Sequence, residues 1–180
     1  MHLTERGDQW TLLQQELQNQ SAKYRVWNGV RDPENNTTRA ISHAHKQIVR
    51  HAWKHHWPEV LIAEDDLKFT ASGALDYFLW NKPANFDLYL GSIYYGNIRE
   101  DHTVNDFAGL TLYIIHERFY ETFLNVSESE DIDRALKDKG KFVVCEPFVA
   151  VQHSGYSDHV NRLCNYESNL KGRRLFNSHN

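Results

Sequence analysis

The sequence predicts an α/β fold in which a central mixed sheet is flanked by helices, and three observations carry that prediction. Residues 38–56 repeat the apolar side chains Ile41, Ala44, Ile48 and Ala52 at helical spacing, until Pro58 stops the helix. Val60, Leu61, Ile62 and Ala63 follow as an unbroken apolar run, the pattern of a strand buried on both faces in a parallel or mixed sheet. Two further apolar runs, residues 86–91 and 107–115, alternate with helical stretches near 74–80 and 116–124. Helix, short turn and strand in this order make a layered α/β domain. A chain of 180 residues suits one domain, residues 1–160, with a polar tail over 161–180 expected to be loosely held.

In chain order, Asp8 is placed to cap a helix over residues 9–18, where Trp10, Leu13 and Leu17 share a face. Residues 24–27 read as a short strand closed by Asn28 and Gly29, and residues 31–36 are dense in turn formers. Thr37 or Thr38 opens the second helix, which carries five histidines. His51 and His55 stand one turn apart, a spacing two metal ligands can share, but no acid or third ligand accompanies them as in a zincin motif. In the loop after the 86–91 strand, Tyr94 and Tyr95 can stack on a ligand or simply pack. Asp131 falls where the next helical run begins, and a helix cap is the plain alternative to any chemical role. Residues 142–145 and 148–151 are strand-like around Pro147, and the polar stretch 152–158 can return a ligand to the site.

A net charge of -4 and a pI near 6.2 argue against general affinity for nucleic acid or anionic membrane. Lys171, Arg173 and Arg174 form a compact basic cluster, which is either a solvated terminus or a point of peripheral membrane contact. Two cysteines, Cys145 and Cys164, give no disulfide framework and suit a reducing compartment. No apolar run is long enough to cross a bilayer, and the first residues lack a signal-peptide core, so a cytoplasmic location is expected.

The chemistry is concentrated where the first apolar run ends in Glu64, Asp65 and Asp66. Adjacent carboxylates repel, so three of them at the end of a core strand are costly unless a cation or hydrogen-bond donors offset the charge. Oxygen ligation suits Mg2+ or Mn2+, which one or two carboxylates hold while leaving positions for water and substrate phosphates. The alternative is an acidic, solvated turn. An aspartyl-phosphate phosphatase would want Asp-x-Asp, and no glycine-rich phosphate loop is present.

Seven segments in order resemble glycosyltransferase family 25, the lipooligosaccharide and collagen galactosyltransferase group. They are residues 3–10, 24–29, 41–43 (Ile-Ser-His), 61–66 (Leu-Ile-Ala-Glu-Asp-Asp), 87–91 (Asp-Leu-Tyr-Leu-Gly), 133–136 and 152–158. The resemblance implies a GT-A-like, Rossmann-like fold, N-terminally shortened because the family's opening hydrophobic strand has almost no room before Leu3. It also implies transfer of a hexose, galactose or glucose, from a UDP-sugar to a hydroxyl of a glycan or glycoconjugate, with inversion, as in lipopolysaccharide biosynthesis. Asp66 with Glu64 would hold Mn2+ or Mg2+, and His153 is a further candidate ligand. Thr4, Arg6, Trp27, Asn28, Ser42, Glu64 and Asp65 would contact the donor, and Asp133, with Asp131 as second choice, would be the base. Asn28 stands where the family often has Asp, and Thr4-Glu5 replaces Asp-Arg. A relative that binds nucleotide or carbohydrate without turnover is the alternative.

Overall fold

The structure, a computed structural model, describes residues 2, 5, 7–157 and 162–178. Its helices are α1 (Gly7–Asn19), α2 (Thr37–Lys54), α3 (Ala74–Trp80), α4 (Tyr120–Asn125) and α5 (Ile132–Ala135). Its strands are β1 (Glu59–Ala63), β2 (Leu67–Phe69), β3 (Leu88–Leu90), β4 (Tyr95–Gly96), β5 (Thr103–Val104) and β6 (Phe107–Ala108). They continue with β7 (Leu112–His116), β8 (Phe142–Val144), β9 (Ala150–Gln152), β10 (Gly155–Ser157) and β11 (Arg162–Cys164). Five of them form a mixed sheet in the order β1-β7-β3-β8-β5, where β3 and β8 run parallel and the other pairs antiparallel.

Strand periodicity divides the core in two. Leu88 and Leu90 of β3, Tyr113 and Ile115 of β7, and Phe142 and Val144 of β8 face Ile48, Val49 and Ala52 of α2. The intervening Tyr89, Leu112, Ile114 and Val143 pack on the other side with Leu13 and Leu17 of α1 and Phe78 of α3. Phe78 stacks on Tyr89 with ring centroids 4.4 Å apart, both out of solvent. Burying a side chain of this size contributes about 1.5–3 kcal/mol, and the sheet does so on both faces. The mixed sheet with helices is the architecture expected.

The strand over residues 60–63, expected to be buried on both faces, forms as β1 but is not so buried. Among the described residues β1 ends the sheet order, antiparallel to β7, with Ile62 2% and Leu61 38% exposed. Apolar runs report burial of a strand but not its rank in the sheet, and the positions buried on both faces belong to β3, β7 and β8. The short strand expected at 24–27 reduces, among the described residues, to a single bridge between His2 and Asn28. Helix α1 begins at Gly7, one residue before the expected cap Asp8. Helix α2 is capped by Asn36, whose side chain accepts the Arg39 N–H at 3.0 Å, and not by a threonine. The run 107–115 is broken at Gly109, whose φ of 117° lies in the region L side chains avoid. A Cβ there would also meet the Tyr94 ring at 2.9 Å.

The tail is docked where it was expected to be loose. Residues 162–164 pair with 155–157, the Phe148 N–H donates to the Arg174 carbonyl at 2.8 Å, and Phe176 packs its ring 4.7 Å from Tyr77. Within the basic cluster, Arg173 donates to the Gly96 carbonyl at 2.7 Å and lies over the Phe148 ring. Among the described residues no helix is long and apolar enough to cross a membrane.

Candidate functional site

A cavity of about 660 Å³ opens at the C-terminal end of β1. Its walls come from the loop 29–37, the first half of α2, the acidic turn 64–66, Tyr94, the start of α5 and the hairpin made by β10 and β11. One wall is rigid for a local reason. Asp32 accepts the N–H groups of Glu34 and Asn36, and Arg39 of α2 grips both of its oxygens. The Arg39 guanidinium holds the Asp32 carboxyl well below the usual carboxylate range.

Each of the three acids in the turn has a partner from a different part of the chain. Glu64 Oε1 lies 3.1 Å from His45 Nε2 on α2, Asp65 Oδ2 lies 3.0 Å from His2 Nδ1, and Asp66 Oδ2 accepts Gln152 Nε2–H at 3.0 Å. The backbone locks the turn as well, since the Glu64 N–H donates to the Thr111 carbonyl at 2.9 Å and the His153 N–H to the Asp66 carbonyl at 2.7 Å. This is not a solvated turn. Asp66 Oδ1 is shielded from solvent with no hydrogen-bond partner, and so is Gln152 Oε1. Burial, then the charges of Glu64 and Asp65, push the Asp66 carboxyl well above its ordinary value, against the lowering effect of the Gln152 bond.

Asp133, also in the lining, is 8% exposed, and each of its oxygens accepts a backbone N–H at 2.8 Å, Oδ2 from Gly109 and Oδ1 from Arg134. Burial raises its pKa above the aspartate range, with Asp131 and Glu64 adding to the effect and the two backbone N–H groups opposing it. Asp131 occupies the N-cap position of α5 without a side-chain cap bond and instead accepts the Thr38 hydroxyl at 3.1 Å. Tyr94 is half-buried in the same lining; burial and then the charges of Asp133 and Glu64 push its hydroxyl upward.

Glu64, Asp65, Asp66, Asp131 and Asp133 all line this one cavity. His153 also lines it, but its Nε2 lies 3.7 Å from Glu16 Oε1, too long for a hydrogen bond, and no acid of the 64–66 turn is among the charges acting on it. Burial lowers its pKa, with Lys68 helping and Glu16 opposing. Trp27, Asn28 and Ser42 stand outside the cavity lining. Trp27 packs edge-on to His51 at 4.9 Å, the Asn28 carbonyl accepts Gln47 Nε2, and Ser42 is wholly buried in α2. Thr4 and Arg6, with Asp158 of the last motif, lie outside the described residues. His51 and His55 pack with tilted rings, centroids 4.2 Å apart, between Trp27 and Trp57 and outside the cavity lining.

His45 and Gln152 carry more of the site than sequence reasoning allowed. The signal for His45 was present, because residue 45 follows Ile41 by four and so sits on the apolar face of α2, where an unpaired imidazole is unfavourable.

Among the described residues no three His, Cys, Asp or Glu side chains converge closely enough to hold a metal ion by themselves. The orphaned Asp66 Oδ1 and the oxygen-rich turn nevertheless fit a hard cation that takes most of its ligands from water and substrate phosphates. No family model matches the chain, and no curated protein is found to be similar to it.

Proposed function

We propose that the chain is a metal-dependent glycosyltransferase with a GT-A-like fold, which moves a hexose from a UDP-sugar to a hydroxyl of a glycan acceptor with inversion. The observation that carries this reading is the juxtaposition of a shielded, partly unpartnered carboxylate in Glu64-Asp65-Asp66 with the buried, oriented carboxylate of Asp133 across one cavity. The ordered resemblance to glycosyltransferase family 25 supports the same assignment.

Asp66, with Glu64 or Asp65, would hold Mn2+ or Mg2+. When bound, the cation offsets the negative charge that builds on the UDP leaving group. The rest of the chemistry belongs to the chain. Asp133 accepts the proton of the acceptor hydroxyl as that oxygen attacks the anomeric carbon from the face opposite the departing phosphate. The C–O bond to the acceptor forms, the bond to phosphate breaks, and the electron pair leaves with UDP. Backbone N–H groups of Gly109 and Arg134 hold the Asp133 carboxylate in place. Tyr94 and Tyr156 offer apolar faces to the rings of donor or acceptor.

Calorimetric titration of UDP, UDP-galactose and UDP-glucose, each with and without Mn2+, tests the reading. Metal-dependent binding is expected for UDP and for one of the sugars. Absence of binding under every condition overturns it.

A further inference from the structure

A chain of side chains, fully buried at Tyr113 and His45 and part-buried at Glu64, runs from the core to the acidic turn. His45 has no exposed surface, and each ring nitrogen has a partner: Nδ1 lies 2.8 Å from Tyr113 Oη, and Nε2 lies 3.1 Å from Glu64 Oε1. The two bonds come from different layers, since Tyr113 belongs to β7 and His45 to α2.

The directions of these bonds follow from the donors. A carboxylate oxygen only accepts, so the proton between His45 and Glu64 resides on Nε2. In a neutral ring Nδ1 is then the acceptor, and the Tyr113 hydroxyl donates to it. Burial, with the Glu64 charge adding, pushes that hydroxyl well above its ordinary value, so it keeps its proton. We propose that His45 is a positioning residue: Tyr113 fixes its Nε2–H tautomer, and His45 in turn fixes Glu64 through Oε1, leaving Oε2 to the cavity for a cation or a donor hydroxyl. The second half of this statement rests on the nucleotide-sugar reading, and the first half does not. A histidine that merely filled the core would serve as well without either bond, and its replacement by an apolar group of similar size would leave the cavity unchanged.

The experiment has two arms. Long-range 1H–15N spectra of the metal-free protein read the tautomer. His45 is expected as Nε2–H, with Nδ1 shifting toward an unbonded nitrogen in Tyr113→Phe. An Nδ1–H signature in the wild type, or no shift in Tyr113→Phe, overturns the relay whether or not nucleotide binds. The second arm is calorimetric titration of UDP with Mn2+, beside circular dichroism and thermal unfolding of each variant. His45→Leu is expected to bind about tenfold or more weakly, the loss of one charge-assisted hydrogen bond, and His45→Gln to recover to within about threefold because its amide can donate to Glu64. A folded His45→Leu that binds as the wild type does overturns the positioning role. Should His45→Leu fail to fold, equal binding by Tyr113→Phe and wild type has the same force. A wild type that binds no nucleotide defeats the transferase reading, and the spectra then decide the relay alone.

Discussion

Gln152 donates one amide N–H to Asp66 Oδ2 at 3.0 Å and leaves Asp66 Oδ1 shielded and unpartnered. One amide bond does not offset a buried carboxylate beside two other acids, so the fold keeps Asp66 at a cost. The sign follows from its raised pKa. The folded state binds this proton more tightly than the unfolded chain, so its contribution is most favourable below the unfolded aspartate value and is lost as pH rises through the folded one. Asp66→Asn should therefore stabilise the metal-free protein at pH 7 to 8 by on the order of 1–3 kcal/mol, a gain that shrinks toward pH 4. The same variant should lose Mn2+-dependent UDP binding. Thermal unfolding in chelator and calorimetry check the two halves, and a destabilised Asp66→Asn at pH 8 would contradict the first.

Asp133 is held by two backbone donors and raised by burial, which suits a base that must be poised and immobile. Asp133→Asn should lower kcat by roughly 10²–10⁴ while leaving UDP and Mn2+ affinity within a few-fold. In the wild type, kcat/KM should rise with pH through the elevated Asp133 value, and the acidic limb should vanish from the residual activity of the variant. Asparagine turns an NH2 toward one of the two backbone N–H groups, so a stability loss of about 1–2 kcal/mol is expected alongside.

Lys46 is almost wholly buried on α2 and donates to the Val126 carbonyl at 2.8 Å and to Glu128 Oε1 at 2.9 Å, while His43 meets the other Glu128 oxygen at 2.7 Å. The Lys46 bond is the main cause of a Glu128 carboxyl held below its ordinary value. Its stabilisation is thus present above the unfolded glutamate value and disappears as pH falls through the lowered one. Glu128→Gln should cost about 1–2 kcal/mol at pH 7 by denaturant titration, and the gap to wild type should close near pH 3.

Phe176 joins the α1 and α3 side of the core from a segment whose composition is polar. Phe176→Ala should lower stability by about 1–3 kcal/mol, less than a fully buried Phe because the ring is only half-covered. A Tm equal to wild type would mean that the tail does not hold the core.

Local pattern determined a good part of this protein. The α2 stripe, the buried runs around Leu88 and Ile114, and the place of Glu64-Asp65-Asp66 directly after β1 were all legible, because burial and periodicity are written over a few neighbouring residues. Asp131 and Asp133 were named beside those acids by an ordered resemblance and not by spacing, and the structure has all five lining one cavity. What only the tertiary structure decided is pairing at long range: β1 at the end of the sheet order, His45 on Glu64, Gln152 on Asp66, His153 turned to Glu16, and Phe176 against Tyr77. Asp66 and Gln152 are 86 positions apart. No local propensity specifies such a partner, because the hydrogen bond exists only after β2 and β9 have paired and brought both side chains out of water together.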